Sequence, residues 1–217
     1  MHAPRLFAVV PAAGYSRRMG RPKLLLPYGG STVVGQMLAV LSRPEITQTL
    51  VVIRPDDAPL KQAVVQAGAC PLQPATDPPE MRHSVEIALR EIESRWAPAP
   101  DDGWILIPAD HPLLEPQILD RLLAIWPTAR NQIIVPTCLG RRGHPTILPW
   151  AFAAEVFALP ADQGLNRIVR TDPHRVLEVP LDIPGVVSDL DTPDDYARLL
   201  AQSQSTLAAD DTTPTDH

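Results

Sequence analysis

The hydrophobic positions of this chain switch repeatedly between two periods. Leu6 to Val10 is an unbroken apolar run, and runs of that length read as strands buried on both faces. Val34, Met37, Leu38 and Leu41 then recur at i, i+3, i+4 and i+7, which predicts a helix capped by Ser31 or Thr32. Leu50 to Ile53 predicts the next strand. Leu60, Ala63, Val64 and Ala67 predict the next helix, which Gly68 stops. A short strand near Pro71 to Gln73 leads into a loop containing Asp77-Pro78-Pro79. Beyond it, Val85, Ala88, Leu89, Ile92 and Trp96 form one helical face, and Trp104 to Ile107 forms a strongly apolar strand. Leu119, Leu122, Leu123 and Trp126 mark another helix, and Ile133 to Val135 another strand. This alternation predicts an α/β fold: a doubly wound, mostly parallel sheet with helices on both faces.

The second half of the chain is less regular. Phe152 to Leu159 and Leu165 to Arg170 read as short helices around Asp162-Gln163-Gly164, and Val176 to Val179 as a strand. Thr192-Pro193-Asp194-Asp195 has the form of a helix start, with Thr as cap, Pro at the first position and an acid three residues after the cap. Tyr196, Leu199 and Leu200 continue that helix. From Gln202 onward apolar periodicity fades into Ser, Thr, Asp and Ala, which reads as a disordered tail over 202–217. Residues 1–201 read as one domain, and a chain of 217 residues is long enough for one large α/β core.

Charge narrows the partners. The net charge is −6, which argues against a general nucleic-acid binder. The cations are instead concentrated at Arg17, Arg18, Arg21 and Lys23, with Arg141-Arg142 as a second pair. That clustering suits a small anionic ligand. No apolar run approaches membrane-spanning length, and Pro11 ends the N-terminal run too soon for a signal peptide. The two cysteines, Cys70 and Cys138, match no metal spacing and read as reduced thiols of a cytoplasmic protein.

The most telling segment joins the first strand to that cationic cluster: Ala12-Ala13-Gly14-Tyr15-Ser16-Arg17-Arg18-Met19-Gly20-Arg21-Pro22-Lys23. Small residues let backbone N–H groups approach an anion, and the cations behind them neutralise several charges at once. A polyphosphate fits that description. The spacing is neither a P-loop, since no Ser or Thr follows Lys23, nor a G-x-G-x-x-G turn.

This segment resembles the signature loop of the MobA-like nucleotidyltransferases, above all the molybdenum cofactor cytidylyltransferases. Met81-Arg82-His83-Ser84, Pro108-Ala109-Asp110-His111-Pro112, Gly143-His144-Pro145, Asp162-Gln163-Gly164 and Asp189-Leu190-Asp191-Thr192-Pro193 extend the resemblance in the same order over roughly residues 5–200. It implies a Rossmann-like nucleotidyltransferase fold, with a nucleotide-binding half over about 1–112 and an acceptor-binding half over about 113–201. It implies transfer of a nucleoside monophosphate from a triphosphate to a phosphorylated acceptor, molybdopterin above all, with release of pyrophosphate. It further implies Mg²⁺ as cofactor and a molybdenum enzyme as recipient of the product.

The roles implied follow from the matching positions. Ala12, Ala13, Gly14, Ser16, Arg17, Arg18, Met19, Gly20, Lys23 and Ser84 would hold the nucleotide, with Arg18 and Lys23 carrying the charge compensation of catalysis. Asp110 would ligate Mg²⁺, or else cap the turn that follows its strand. In an extended segment Asp189 and Asp191 face one side, and the resemblance favours Asp189 as the second metal contact, against a structural role for the pair. Ser84 reads equally as the N-cap of its helix. His144 and Asp162 are the acceptor-side candidates, His144 reading also as a plain turn residue. Ala-Ala-Gly, where guanylyltransferases of the family have Ala-Gly-Gly, favours CTP over GTP. Ala161 and Asn166 depart from the family's G-D-x-G-x-R, which leaves the acceptor open. A sugar or polyol phosphate, or a non-catalytic module that carries the cofactor, are the alternatives. No Ser–His–Asp or Cys–His arrangement competes, and an ionised acceptor phosphate needs no general base.

Overall fold

In a computed structural model the chain is described over residues 4–111 and 114–210, so Pro112 lies outside the described residues. The first half contains strand β1 (Leu6–Pro11), a small hairpin of β2 (Pro27–Tyr28) and β3 (Ser31–Thr32), and helix α1 (Val33–Leu41). It continues with β4 (Ile46–Val52), α2 (Ala58–Gln66), β5 (Cys70–Leu72), α3 (Met81–Trp96) and β6 (Gly103–Leu106). The second half adds α4 (Pro116–Ile125), β7 (Ile133–Cys138), β8 (Arg141–Arg142) and β9 (Thr146–Pro149). It closes with α5 (Phe152–Phe157), α6 (Asn166–Thr171), β10 (Val176–Pro180) and α7 (Pro193–Asp210).

The main sheet runs β10-β7-β9-β6-β1-β4-β5, with β8 paired to β7. β1 is parallel to β4 and β6, β4 to β5, and β10 to β7. Only β9 and β8 run against their neighbours in it. The period of two in β1 decides where the core sits. Leu6, Ala8 and Val10 face one side, with α1, α2, α4 and α7, while Phe7 and Val9 face the other, with α3, α5 and α6. All five are buried, so β1 reads as a continuous apolar run because both its faces are covered. No helix among the described residues is long and apolar enough to cross a membrane.

The helix starts follow local chemistry. Thr32 Oγ1 accepts from Gly35 N at 3.1 Å, and Asp57 caps α2 by accepting from Leu60 N at 3.2 Å. At α7 the expected box forms: Asp195 Oδ2 accepts from Thr192 N at 2.7 Å, and Asp195 N donates to Thr192 Oγ1 at 3.2 Å. The helix then continues through the segment read as a disordered tail, as far as Asp210. Its Gln, Ala and Leu content, free of Gly or Pro until Pro214, explains why: propagation from an established, capped helix costs little. Residues 211–217 lie outside the described residues. Ser84 is not an N-cap. α3 begins at Met81 with Glu80 at the cap position, and Ser84 lies buried in the first turn.

One buried charge ties the amino end of β1 to β6. Asp102 is fully buried and accepts from Arg5 N at 2.6 Å, Arg5 Nη2 at 2.7 Å and Ala99 N at 2.8 Å. Burial alone would raise its pKa, but the hydrogen bonds from Arg5 and Ala99 outweigh that and hold it below the usual carboxylate value. A depressed folded pKa makes this contribution complete above the unfolded value of about 3.9 and lost as pH falls through the folded one. Asp102→Ala is expected to destabilise the fold by about 2–3 kcal/mol near neutral pH, read from urea unfolding. An unchanged midpoint would show that the cluster is dispensable.

Candidate active site

The site forms where the parallel strands end. Val9 pairs with Leu106, and beyond the strands Ala109 N donates to Pro11 O at 3.1 Å. Asp110 therefore emerges beside the start of the Ala12-Ala13-Gly14 loop, at the carboxyl edge where open parallel sheets bind ligands. Ala12 N still donates to Val52 O at 2.8 Å, which keeps the loop on the sheet for one more residue. The chain then turns through Ser16, whose φ of 50° is in the left-handed region. Such backbone costs a non-glycine residue on the order of 1 kcal/mol or more. The turn aims Ser16 Oγ at Lys23 N, 3.4 Å away, and so fixes the base of the lysine.

Lys23 is the centre of the arrangement. Its side chain is 12% exposed, and Nζ lies 3.2 Å from Asp110 Oδ2 and 3.1 Å from Asp191 Oδ1. Arg18 Nη2 reaches the other oxygen, Asp191 Oδ2, at 2.9 Å. The carboxylate that shares this ammonium with Asp110 is thus Asp191, two residues beyond the one that the resemblance favours as a metal contact. Asp189 and Asp191 do share a side, as alternation predicts, and Leu190 between them is buried in the core. Yet it is Asp191 that meets Asp110 across the ammonium, while Asp189 Oδ1 lies 3.0 Å from His111 Nδ1. That contact with His111 is the chief reason the Asp189 carboxyl is held below its ordinary pKa. Asp191 is also the better fixed: Leu190 N donates to Asp110 O at 2.8 Å, and Asp191 N donates to Asp195 Oδ2 at 3.0 Å.

Two cavities open on this centre. The first, of about 620 Å³, is lined by Ala12, Ala13, Gly14, Ser16, Arg17, Arg18 and Lys23 on one lip and by Asp77, Glu80, Met81 and Ser84 on the other. The second, of about 480 Å³, has an apolar floor of Leu106, Val135, Leu148, Leu165 and Ile168, with His144, Arg141 and Arg170 at its rim. Met81, Pro108, Asp110 and Asp191 line both. A ligand in each cavity would thus meet the other at the carboxylate pair. A model of the MobA-like NTP transferase domain matches residues 8–178. The chain belongs to that family.

PucB and Rv0371c match nearly the whole chain, and a cytidylyltransferase matches about half of it. The purine catabolism protein PucB of Bacillus subtilis is 31% identical over 206 residues, covering 90% of this chain and 96% of that one. A 2-C-methyl-D-erythritol 4-phosphate cytidylyltransferase of Shewanella denitrificans is 37% identical, over 56% of this chain and 48% of its own length. The crystal structure of Rv0371c from Mycobacterium tuberculosis, in complex with manganese, superposes with a TM-score of 0.72 at 29% identity, covering 91% of this chain and 98% of that one.

Can the site hold a divalent ion? Lys23 Nζ already marks a point on which two carboxylate oxygens converge. Hard oxygen donors of this kind suit a hard cation. Among the described residues no group of three or more His, Cys, Asp or Glu closes into a cage. Asp110 and Asp191 would therefore supply two ligands and leave the remaining positions to substrate oxygens and water, the pattern expected where an ion bridges protein and phosphate.

The other expected site residues divide. Ala13, Gly14, Ser16, Arg17, Arg18, Lys23 and Ser84 line the first cavity. Nothing in the protein's packing demands glycine at 14, where an added Cβ would meet no atom within 4 Å. Met19 and Gly20 do not line the cavity. Met19 is buried in the core, and both close the turn by donating backbone N–H groups to Ser16 O. Met19 thus holds the loop down from the core. Asp162 is exposed and lines neither cavity.

His144 does reach the second cavity, and its neighbour explains how. A Cβ at Gly143 would come within 1.8 Å of Val186 O, so only glycine lets this turn lie on the Val186 backbone. Val186 O then accepts from His144 N at 3.0 Å and from His111 Nε2 at 2.9 Å. Burial, with the nearby His111 ring, pushes the His144 pKa down to about 4, so it presents a neutral imidazole to the cavity.

Three residues at the site carry no role in the sequence reading: Tyr15, Asp77 and Arg54. Tyr15 donates its hydroxyl to Asp77 across the mouth of the first cavity, and Arg54 lies over the Tyr15 ring at 4.7 Å while donating to Gly14 O at 3.1 Å. No spacing signals such a link, because Tyr15 and Asp77 are 62 residues apart.

Proposed function

We propose that the protein transfers CMP from CTP to the phosphate of a molybdopterin-class acceptor and releases pyrophosphate, with Mg²⁺ as cofactor. The observation that carries this reading is the meeting of two cavities at Asp110 and Asp191, the carboxylates that Lys23 contacts. The first cavity has the small-residue loop and cations that a triphosphate needs, and the second is separate and open for an acceptor. The relative named as a cytidylyltransferase supports the nucleotide half, and the manganese complex of Rv0371c supports a divalent ion.

In this reading the residues divide the work of an in-line displacement at the α-phosphorus. Backbone groups of Ala12, Ala13 and Gly14 hold the nucleotide, and Arg18 and Lys23 compensate the charge that accumulates toward the leaving pyrophosphate. Asp110 and Asp191 would hold Mg²⁺, which when bound draws phosphate oxygens together and offsets their repulsion. The acceptor phosphate is itself the nucleophile, so no proton has to be removed. The aliphatic floor of the second cavity gives the face of a flat heterocycle an apolar surface to lie on, and Arg141, His144, Asn166 and Arg170 around it offer partners to polar edges. The product would pass to a molybdenum enzyme in the cytoplasm.

A polyol phosphate remains the second reading, favoured by the name of the Shewanella denitrificans relative. Pyrophosphate release, measured with each of the four triphosphates against molybdopterin and a panel of sugar and polyol phosphates, separates the two. Release with a polyol phosphate and none with molybdopterin would overturn the acceptor. The same assay reads base choice. Ala13 lines the nucleotide cavity, and its methyl group narrows the slot relative to glycine. CTP is expected to exceed GTP at least about tenfold in kcat/KM, a difference of roughly 1.4 kcal/mol. Ala13→Gly should narrow that gap without inverting it. Equal use of CTP and GTP by the unmodified protein would remove the cytidylyl assignment and leave the transferase one.

A further inference from the structure

Lys23 stands where a metal ion would stand. Its ammonium lies 3.2 and 3.1 Å from the two carboxylates that suit a divalent cation, and Arg18 covers the remaining oxygen of Asp191. An ammonium and a dication cannot share that gap, since like charges a few ångströms apart in a partly buried site repel strongly. Both Lys23 and Arg18 also line the first cavity. Only the stem of Lys23 is free to swing, because its backbone N is bonded to Ser16 Oγ and Leu24 beside it is buried.

We propose that Lys23 is a built-in counter-ion that keeps the Asp110–Asp191 pair closed to a divalent cation until a triphosphate draws the ammonium away. This rests on the nucleotide reading of the first cavity. A bound triphosphate offers several negative charges within reach of Lys23 and Arg18, more than the two carboxylates can. Moving the two cations onto it uncovers the carboxylates just as phosphate oxygens arrive to complete the coordination shell. Ion and nucleotide then bind cooperatively, and the empty protein does not trap metal in its transfer centre. The coupling needs no change of fold, only the rotation of two long side chains.

The test is a nucleotide-free titration of the full chain with Mn²⁺, followed by calorimetry and by the spin signal of the free ion. The unmodified protein should bind Mn²⁺ weakly. Lys23→Met, which keeps the length of the stem and removes the charge, should bind it at least about tenfold more tightly. Lys23→Gln, which leaves a polar group among the carboxylates, should do the same, and Arg18→Ala should show a smaller gain. Adding Asp110→Asn to Lys23→Met should abolish the gain, which locates the ion. With a non-hydrolysable CTP analogue, the unmodified protein should gain Mn²⁺ affinity beyond that of the analogue alone, and Lys23→Met should gain less. If neither Lys23 variant binds Mn²⁺ more tightly than the unmodified protein without nucleotide, the counter-ion role is overturned. A protein that fails to release pyrophosphate from any triphosphate overturns the transferase reading instead, and the nucleotide-free titration still decides the role of Lys23.

Discussion

Lys23→Ala is expected to lower turnover at least about 100-fold while leaving the protein folded. The size follows from where the charge sits. A donor or cation aimed at developing negative charge in a cleft shielded from water is worth about 2.7–4 kcal/mol of transition-state stabilisation. Lys23 is only 12% exposed, lines the first cavity, and its ammonium contacts the two carboxylates that border both. The fold should survive because the residue belongs to a loop whose anchors are elsewhere, in buried Met19 and Leu24. Initial rates of pyrophosphate release with CTP, set beside a urea unfolding curve, check both halves. Near-normal turnover in a well-folded variant would remove Lys23 from the chemistry. The same deletion is expected to strengthen metal binding in the absence of nucleotide. Opposite signs on two measurements distinguish a residue that exchanges partners from one that merely holds the loop in shape.

Much of this arrangement could be read from the residues in order, and the parts that could not have physical reasons. Elements announced by local periodicity, such as α1, α3 and β6, lie within a few residues of where the apolar positions put them. β9 is not legible in the sequence because Thr146–Pro149 is short and bounded by prolines, so it looks like loop. Its strand character comes from pairing with β6 and β7, contacts that no local pattern encodes. The reach of α7 to Asp210 is hidden for a different reason, since low apolar content says little about a helix that is already nucleated. At the site, the phosphate loop could be read because one continuous segment carries it. The partners of Lys23 could not, since Asp110 and Asp191 lie 87 and 168 residues away and meet it only through the sheet. Met19 shows the converse case. A residue within a functional segment can serve it from the core.

The choice between Asp189 and Asp191 leads to the second large effect. Asp191→Asn is expected to cut turnover at least about 100-fold and to raise the Mg²⁺ concentration needed for half-maximal rate. Asp189→Asn should cost less than about tenfold and leave the Mg²⁺ dependence unchanged. Both substitutions are nearly isosteric, so shape is kept and only charge and donor character change. Asp191 shares a cation with Asp110, borders both cavities, and has its backbone fixed by Asp195. Losing its charge removes one of the two carboxylates that can hold the ion, takes the ion-pair partner of Arg18 and leaves Lys23 with Asp110. Asp189 borders only the second cavity and is engaged by His111. Its loss should therefore be felt through the placing of His111 and the acceptor, as a rise in the acceptor KM with the CTP KM unchanged. Steady-state rates over a Mg²⁺ series for the two variants decide between them. A Mg²⁺ requirement that shifts with Asp189→Asn and not with Asp191→Asn would return the second metal contact to Asp189 and leave Asp191 as no more than the anchor of Lys23.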